Sequence, residues 1–497
     1  MSTSSAPRPG GSRRAVRARR YRGDRTLLAA LAVLVLAAAA VLSASGAAPP
    51  GGDTTAERGP TGVPVERTVL ACPDATDIAQ IGARARTTVE AGLSGVKDLL
   101  GAGVSLGSEG TVTVGRAGRA GRDRTLDRGE LVDLRAGRAR VLDAEGSAAV
   151  GLFGYRTDRT PRGTAVARCV EPRGTWWFAG AGGSLDHSSD LVLANVDPGP
   201  AVVDVRVYGP DGPIETVGTR GIPIAPNGSQ TLAMADVAPQ TEELLVEVVA
   251  VQGRVAAAVA DRYAAGAEAA GGLEWLPGTD RPSRNLRLVG LPARAASRTL
   301  LVANAGDRQA LVELQLAGSA GGFTPSGLDE TSVAPGSVES VDLSAVVPPG
   351  EPVAVRVRST APVVATVRSV GRSGGRSVGR DTSYAGAAAP LADPAAVPVL
   401  EQATTTVQLT AGSLPARARL SGFTRTGRVS GRNTVAIDAT ATATWQPARR
   451  TAYVVVRPIE GSVYGAATYA GGGALSQTPL VGLPLTVVTP RVVPGPR

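Results

Sequence analysis

Apolar and polar residues alternate along many short stretches of this chain, and that alternation predicts β-strands. VVDVRVYG (202–209), ALVELQLAG (310–318), PVAVRVRS (352–359) and TAYVVVRP (451–458) place mostly β-branched apolar residues at every second position. A polar face on each strand suits antiparallel sheets packed on one side. Turn signals separate the strands: Pro210-Asp211-Gly212, Pro226-Asn227-Gly228, Pro335-Gly336 and Pro349-Gly350.

The strands recur in blocks. DLVLANV (190–196) matches TLLVANA (299–305), so that Asn195 and Asn304 lie 109 positions apart. IPIAPNGSQTLAMADVAP (222–239) matches TSVAPGSVESVDLSAVVP (331–348) at the same spacing, and VEVVAVQGRVAAAVADR (246–262) matches VAVRVRSTAPVVATVRS (353–369). Ordered blocks at one spacing are the mark of an internal repeat. TTTVQLTAG (404–412), RNTVAIDATATATW (432–445) and AYVVVRPIEGSVYGAATYA (452–470) form another copy. An earlier, diverged copy is read from RTVLACP (67–73), with Cys72 at the place of Asn195, and from 130–155, with a short helix near Asp77–Leu100. A period of about 100 residues with some seven strands is the rhythm of an immunoglobulin-like β-sandwich. The expected fold is therefore mainly β, as tandem immunoglobulin-like β-sandwich repeats. Ala264–Arg284 and Gly371–Ser383, rich in Gly with Ala or Ser, read as a linker and a basic loop between strands.

One segment departs from this pattern. Thr26–Ala44 is continuously apolar and uncharged, long enough as a helix to cross a bilayer core. Eight arginines precede it, which places the N-terminus in the cytoplasm and the remainder outside. The alternative is a signal peptide cleaved near Ala48, which would release the protein as a secreted one. The expected organisation is a basic cytoplasmic segment (1–25), a transmembrane helix or signal anchor (26–45) and a flexible linker (46–64). A divergent first β-rich unit (65–175) and three β-sandwich repeats (176–284, 285–390 and 391–497) follow.

Charge gains its meaning from this layout. The chain carries a formal net charge of +9. The first 25 residues hold eight Arg against Asp24, which leaves 44 basic and 42 acidic residues beyond them. The basic balance thus belongs to membrane topology, and nucleic acid is not an expected partner. Aromatics make up 3% of the chain, so cores must be built from Val, Leu and Ala. Cys72 and Cys169, both outside the membrane, are expected to form a disulfide.

Candidate chemistry is sparse. His187 is the one histidine, in SLDHSSD (184–190). Asp186, His187, Ser188 and Ser189 are the residue types of a hydrolase triad, but neighbours in one segment cannot converge on one centre. A hydrogen-bonded turn or a domain-junction contact fits His187 better. Trp176 and Trp177 could stack on sugars or seal a core. His187, Trp176 and Trp177 are the candidate interaction surface. No phosphate-loop, EF-hand or zinc spacing appears, so neither a metal nor a cofactor is expected.

The ordered blocks SLDHSSDLVLANVDPGPAVVDVRVYGPDG, RGIPIAPNGSQTLAMADVAP and GRVAAAVADR resemble a family of exported actinobacterial proteins classed only as a domain of unknown function. The similarity covers roughly 60–490 and implies an exported or anchored β-rich protein, with no catalytic residues to carry over. The functional expectation is a non-enzymatic extracytoplasmic envelope protein whose partner is a cell-wall polymer or another envelope protein. The alternatives are a carbohydrate or peptidoglycan hydrolase working through carboxylates in the first unit, and a structural spacer or assembly scaffold.

Overall fold

Strand Ala201–Gly209 turns the alternation into geometry: buried and half-buried residues alternate along its whole length. Ala201, Val203, Val205 and Val207 enter the core, while Asp204 and Arg206 take the other face. Ala310–Gly318 repeats the arrangement as far as Leu316. The computed structural model describes residues 62–488, apart from 74–85, 98, 101–105, 117–118, 135–139, 161–162, 265–269, 327–329, 372–378 and 472–473. The expected segments 1–25 and 26–45, and all of the linker 46–64 but its last three residues, lie outside the described residues. Among the described residues the fold is mainly β, with one short α-helix, Met234–Val237. None of their helices is long and apolar enough to cross a membrane.

The same strand order appears four times. In the second unit, strands Thr175–Ala181, Leu244–Gln252, Ala201–Gly209 and Gly212–Ile214 pair in that order. A second sheet pairs Ser229–Ala233, His187–Ala194, Ala256–Tyr263 and Ala270–Leu276. Numbering these eight along the chain and leaving aside the short Ile222–Ile224, the orders are 1-6-3-4 and 5-2-7-8. Strands of the first unit, from Arg67–Cys72 to Gly163–Arg168, follow both orders, as do those of the fourth, from Ala395–Pro398 to Ala474–Pro479. In the third unit the sixth and seventh strands fuse into Ala354–Val370. The first half of this long strand pairs with Ser283–Leu288 and Ala310–Gly318, its second half with Ser297–Asn304 and Thr382–Gly386.

Within each unit the two sheets close over apolar side chains. In the second unit Phe178, Val203, Val205 and Val246 come from one sheet, and Leu191, Leu193 and Val259 from the other. Each such side chain contributes about 1.5–3 kcal/mol on burial. The 109-residue period has a local cause at Asn195 and Asn304. The Asn195 amide donates to the carbonyls of Gly199, Ile224 and Ala225, and its Oδ1 accepts from the Asp197 N–H. Asn304 makes the same four bonds to Arg308, Val333, Ala334 and Gly306. Both amides are buried, so each ties three chain segments that would otherwise carry unmet polar groups.

The first unit corrects the expected alignment. Arg67–Cys72 pairs with Arg140–Glu145 as a first strand, so Cys72 does not occupy the place of Asn195. The second strand is Arg86–Leu93, paired on both sides, within the stretch where a short helix was expected. Its TTVE start is β-branched and extended pairing is available, which decides against a helix over 86–93, while 77–85 lie outside the described residues. Ala264–Arg284 and Gly371–Ser383 are also more than connections, because they contain the strands Ala270–Leu276, Gly379–Arg380 and the start of Thr382–Gly386.

The four units close on themselves. Gly163–Arg168 lies against Ala270–Leu276 and Ala474–Pro479, and Thr382–Gly386 lies against the same two strands. The eighth strands thus form a closed cycle around one axis. Units one and four share an apolar core containing Phe153, Tyr155, Leu420 and Tyr453. Tyr453 Oη donates to the Gly129 carbonyl at 2.9 Å, and Arg425 pairs with Glu90 at 2.5 Å. Strand Gly62–Pro64 pairs with Thr486–Val488, clasping the two ends of the ring.

A disulfide joins Cys72 to Cys169, across 97 residues, between the ends of the first unit's first and eighth strands. Both residues are fully buried. The chain-entropy relation puts a loop of this length at about 4–5 kcal/mol. We expect the Cys72→Ala/Cys169→Ala double variant to lower the denaturant midpoint of the first unit by several kcal/mol equivalent, read by urea titration. An unchanged midpoint would mean that the bridge adds nothing to the packing around it.

Candidate functional site

The axis of the ring is polar at its centre. Asp381 precedes strand Thr382–Gly386 and is 5% exposed. Its Oδ2 accepts the N–H groups of Thr164 at 3.0 Å and Leu475 at 2.6 Å, and its Oδ1 accepts that of Thr382. A further backbone hydrogen bond comes from Leu273. Each of the four units therefore places one N–H on this carboxylate. The approach is close: a Cβ at Gly163 would sit 2.0 Å from Asp381 Oδ1, and one at Gly272 would sit 2.5 Å from the Thr382 nitrogen. Glycine is required at both positions.

Glu274 forms the next layer and is 1% exposed. Its Oε1 accepts from the Trp275 N–H at 2.9 Å and the Val166 N–H at 3.4 Å, and Oε2 from the Gln477 N–H at 3.0 Å. No cation pairs with either carboxylate among the described ion pairs. Burial pushes both pKa values well above the ordinary carboxylate range, against the pull of the N–H groups. The Asp381 charge raises Glu274 further.

A second polar cluster joins units two and three. His187 Nε2 lies 3.0 Å from Asp261 Oδ1, and Ser189 Oγ donates to the same oxygen at 2.5 Å. Tyr384 Oη, from the third unit, donates to Asp261 Oδ2 at 2.6 Å. Nearby, Arg368 pairs with Glu243 at 2.8 Å and lies over the Tyr263 ring at 3.8 Å. The serine donates to the aspartate and not to the histidine, and His187 is 1% exposed. That arrangement lacks the nucleophile–base contact of a hydrolase triad. Burial lowers the His187 pKa, but the Asp261 charge and hydrogen bond outweigh it, and the net shift is upward.

The other sequence candidates are interior as well. Trp176 Nε1 donates to the Val255 carbonyl at 2.8 Å, and its ring stacks on Phe178. Trp177, its neighbour, turns to the opposite face and packs with Ala303, Val338 and Val364 of the third unit. Trp176, Trp177 and His187 are 3%, 8% and 1% exposed, so none of them is presented at the protein surface. Sequence reasoning passed over Glu274, Asp381 and Asp261. The available signal was a lone acid inside a short apolar run, as in GLEWL (272–276).

Beyond the carboxylate layers, the ends of the four eighth strands and the segments that follow them surround a cavity of about 260 Å³. Its wall includes Trp176, Phe178, Leu276, Leu391 and Leu480, with Arg168 and Arg173. Arg173 lies 5.1 Å over the Trp176 ring. The Arg168 guanidinium makes no ion pair or side-chain hydrogen bond among the described residues. Asp280 is the single carboxylate in the lining and is exposed. Among the described residues no group of three or more His, Cys, Asp and Glu could hold a metal ion.

The pKa shifts set the sign of a pH dependence. A group whose folded pKa is raised supports the folded state fully below its unfolded pKa and loses that support as pH rises through the folded value. Asp381, Glu274 and His187 all shift upward, so stability should fall as pH rises from the ordinary carboxylate range through neutrality. Urea unfolding across that range measures it. Glu274→Gln should flatten the slope. A slope of opposite sign would show that the axial N–H groups outweigh burial.

No curated protein matches the chain. The crystal structure of Streptomyces avermitilis alpha-L-rhamnosidase complexed with L-rhamnose matches at 11% identity and a TM-score of 0.14. That match covers 81% of this chain and 54% of the enzyme, so the chain spans about half of its length. A likeness at that level carries no argument about fold or activity. Residues 135–448, more than half of the chain, match the model of a family of unknown function, and the protein belongs to that family, DUF5719.

Proposed function

We propose that this chain is a non-enzymatic extracytoplasmic envelope protein that binds a cell-wall polymer or another envelope protein. The apolar run within 26–45 tethers it, with the arginine-rich head on the cytoplasmic side. Its four units are β-sandwiches of immunoglobulin-like character: the second strand pairs with the fifth, and the third with the sixth. They depart from the common immunoglobulin order at two strands. The first strand joins the sixth, and the seventh joins the second.

The observation that carries the binding reading is the axial cavity. It is concave, mostly apolar, and carries few polar groups, the usual make-up of a ligand site. Two carboxylates about 5–10 Å apart would instead favour glycoside hydrolysis, and the lining holds Asp280 alone. The buried His187, Glu274 and Asp381 have interior partners, which fits a structural use for them.

Retention on isolated cell wall is the direct test. The intact chain should co-sediment with purified wall, or capture a defined envelope protein on cross-linking in cells. Its bulk should also be open to protease added outside intact cells. Loss of both forms of retention, or cleavage of a wall polymer by the purified chain, would remove this reading.

A further inference from the structure

The four-fold repetition around the axis can be followed residue by residue. The N–H groups meeting Asp381 belong to Thr164, Leu273, Leu475 and Thr382, one from each unit. Two residues on, Val166 and Gln477 meet Glu274. Four residues on, the equivalent positions are Arg168, Pro277, Pro479 and Gly386. The first three of these line the cavity. Two are rigid and apolar, Gly386 has no side chain and packs against Pro277, and Arg168 alone places a charge there. Symmetry is thus broken at one position, and it is broken by a guanidinium.

Arg168 is half-buried and makes no ion pair with a carboxylate among the described residues. Burial lowers its pKa from the ordinary value, against the weaker upward pull of Tyr155 and Glu171, as expected of a cation taken out of water without a paired anion. Arg173, at the same wall, adds positive charge, and Asp280 offsets one of the two. The rest of the lining is mostly aliphatic, aromatic or proline. A volume of about 260 Å³ falls just under the ~300–1,000 Å³ of sites for drug-sized ligands. The space suits a small molecule or one end of a larger one.

We infer that the axial cavity binds an amphiphilic anion, a single carboxylate or phosphate on a short apolar body, with Arg168 holding the anionic group. The planar guanidinium fork matches the oxygens of either group, and the apolar wall covers the body. This deepens the binding reading above and rests on it, since it names what the cavity takes.

Isothermal calorimetry on the intact chain tests it, with hexanoate and hexyl phosphate as the two anionic probes and 1-hexanol as the neutral one. Both anions, or the one whose headgroup is used, should bind, and hexanol should not. Arg168→Leu should weaken anion binding by about ten-fold or more, while Arg168→Lys keeps part of it. Thermal melts of both variants should stay near that of the unmodified protein, since Arg168 makes no side-chain bond among the described residues. Equal binding of hexanol and hexanoate, anion binding unaffected by Arg168→Leu, or binding of neither anion overturns the inference. Wall retention that persists under those outcomes would leave the broader binding reading in place.

Discussion

Two buried carboxylates, with no cationic partner among the described residues, organise the molecule. Desolvating such groups is costly, and the cost is offset only if hydrogen-bond donors surround them. Asp381 and Glu274 receive backbone N–H groups from strands in different units. No unit can satisfy either carboxylate by itself. The four units are therefore held around one axis, and a linear string of beads would leave both acids unmet. The glycines at 163 and 272 follow from the same constraint, because a side chain there would strike Asp381 or the backbone beside it.

The polar residues that first look catalytic serve the same end. Asp261 gathers His187 and Ser189 from its own unit and Tyr384 from the next, and the Arg368–Glu243 pair lies alongside. Interfaces between units thus resemble domain interiors in which most polar groups find a partner, although His187 Nδ1, Glu243 Oε2 and Arg368 Nη1 have none among the described residues. At the end of the axis, an arginine lines a cavity. Equivalence among the units is broken along this axis at Asp381, Glu274 and Arg168.

Much of the fold is legible in the amino-acid pattern. The alternation in 202–209 and 310–318 marks strands because one face has to be apolar. The 109-residue spacing marks equivalent units, and Asn195 and Asn304 show why, since each makes the same four hydrogen bonds. The pairing of Cys72 with Cys169 is legible from the even cysteine count and the expected compartment. The segments 264–284 and 371–383 are not. Their Gly-, Ala- and Ser-rich composition reads as linker, yet close approach of four strands demands small residues. The first unit reads one strand out of register, because RTVLACP and DLVLANV share an apolar pattern that does not distinguish a first strand from a second.

Sequence alone determined the β-rich class, the repeat, the disulfide and the expectation that the chain works outside the cytoplasm. These depend on periodicity, spacing and composition, which are local or additive properties. Tertiary structure decided that the units close into a ring, that His187, Trp176 and Trp177 are interior, and that Arg168 meets the ends of the four eighth strands. Those outcomes depend on residues hundreds of positions apart meeting at one axis, and the burial of Asp381 and Glu274 exists only once that axis has formed.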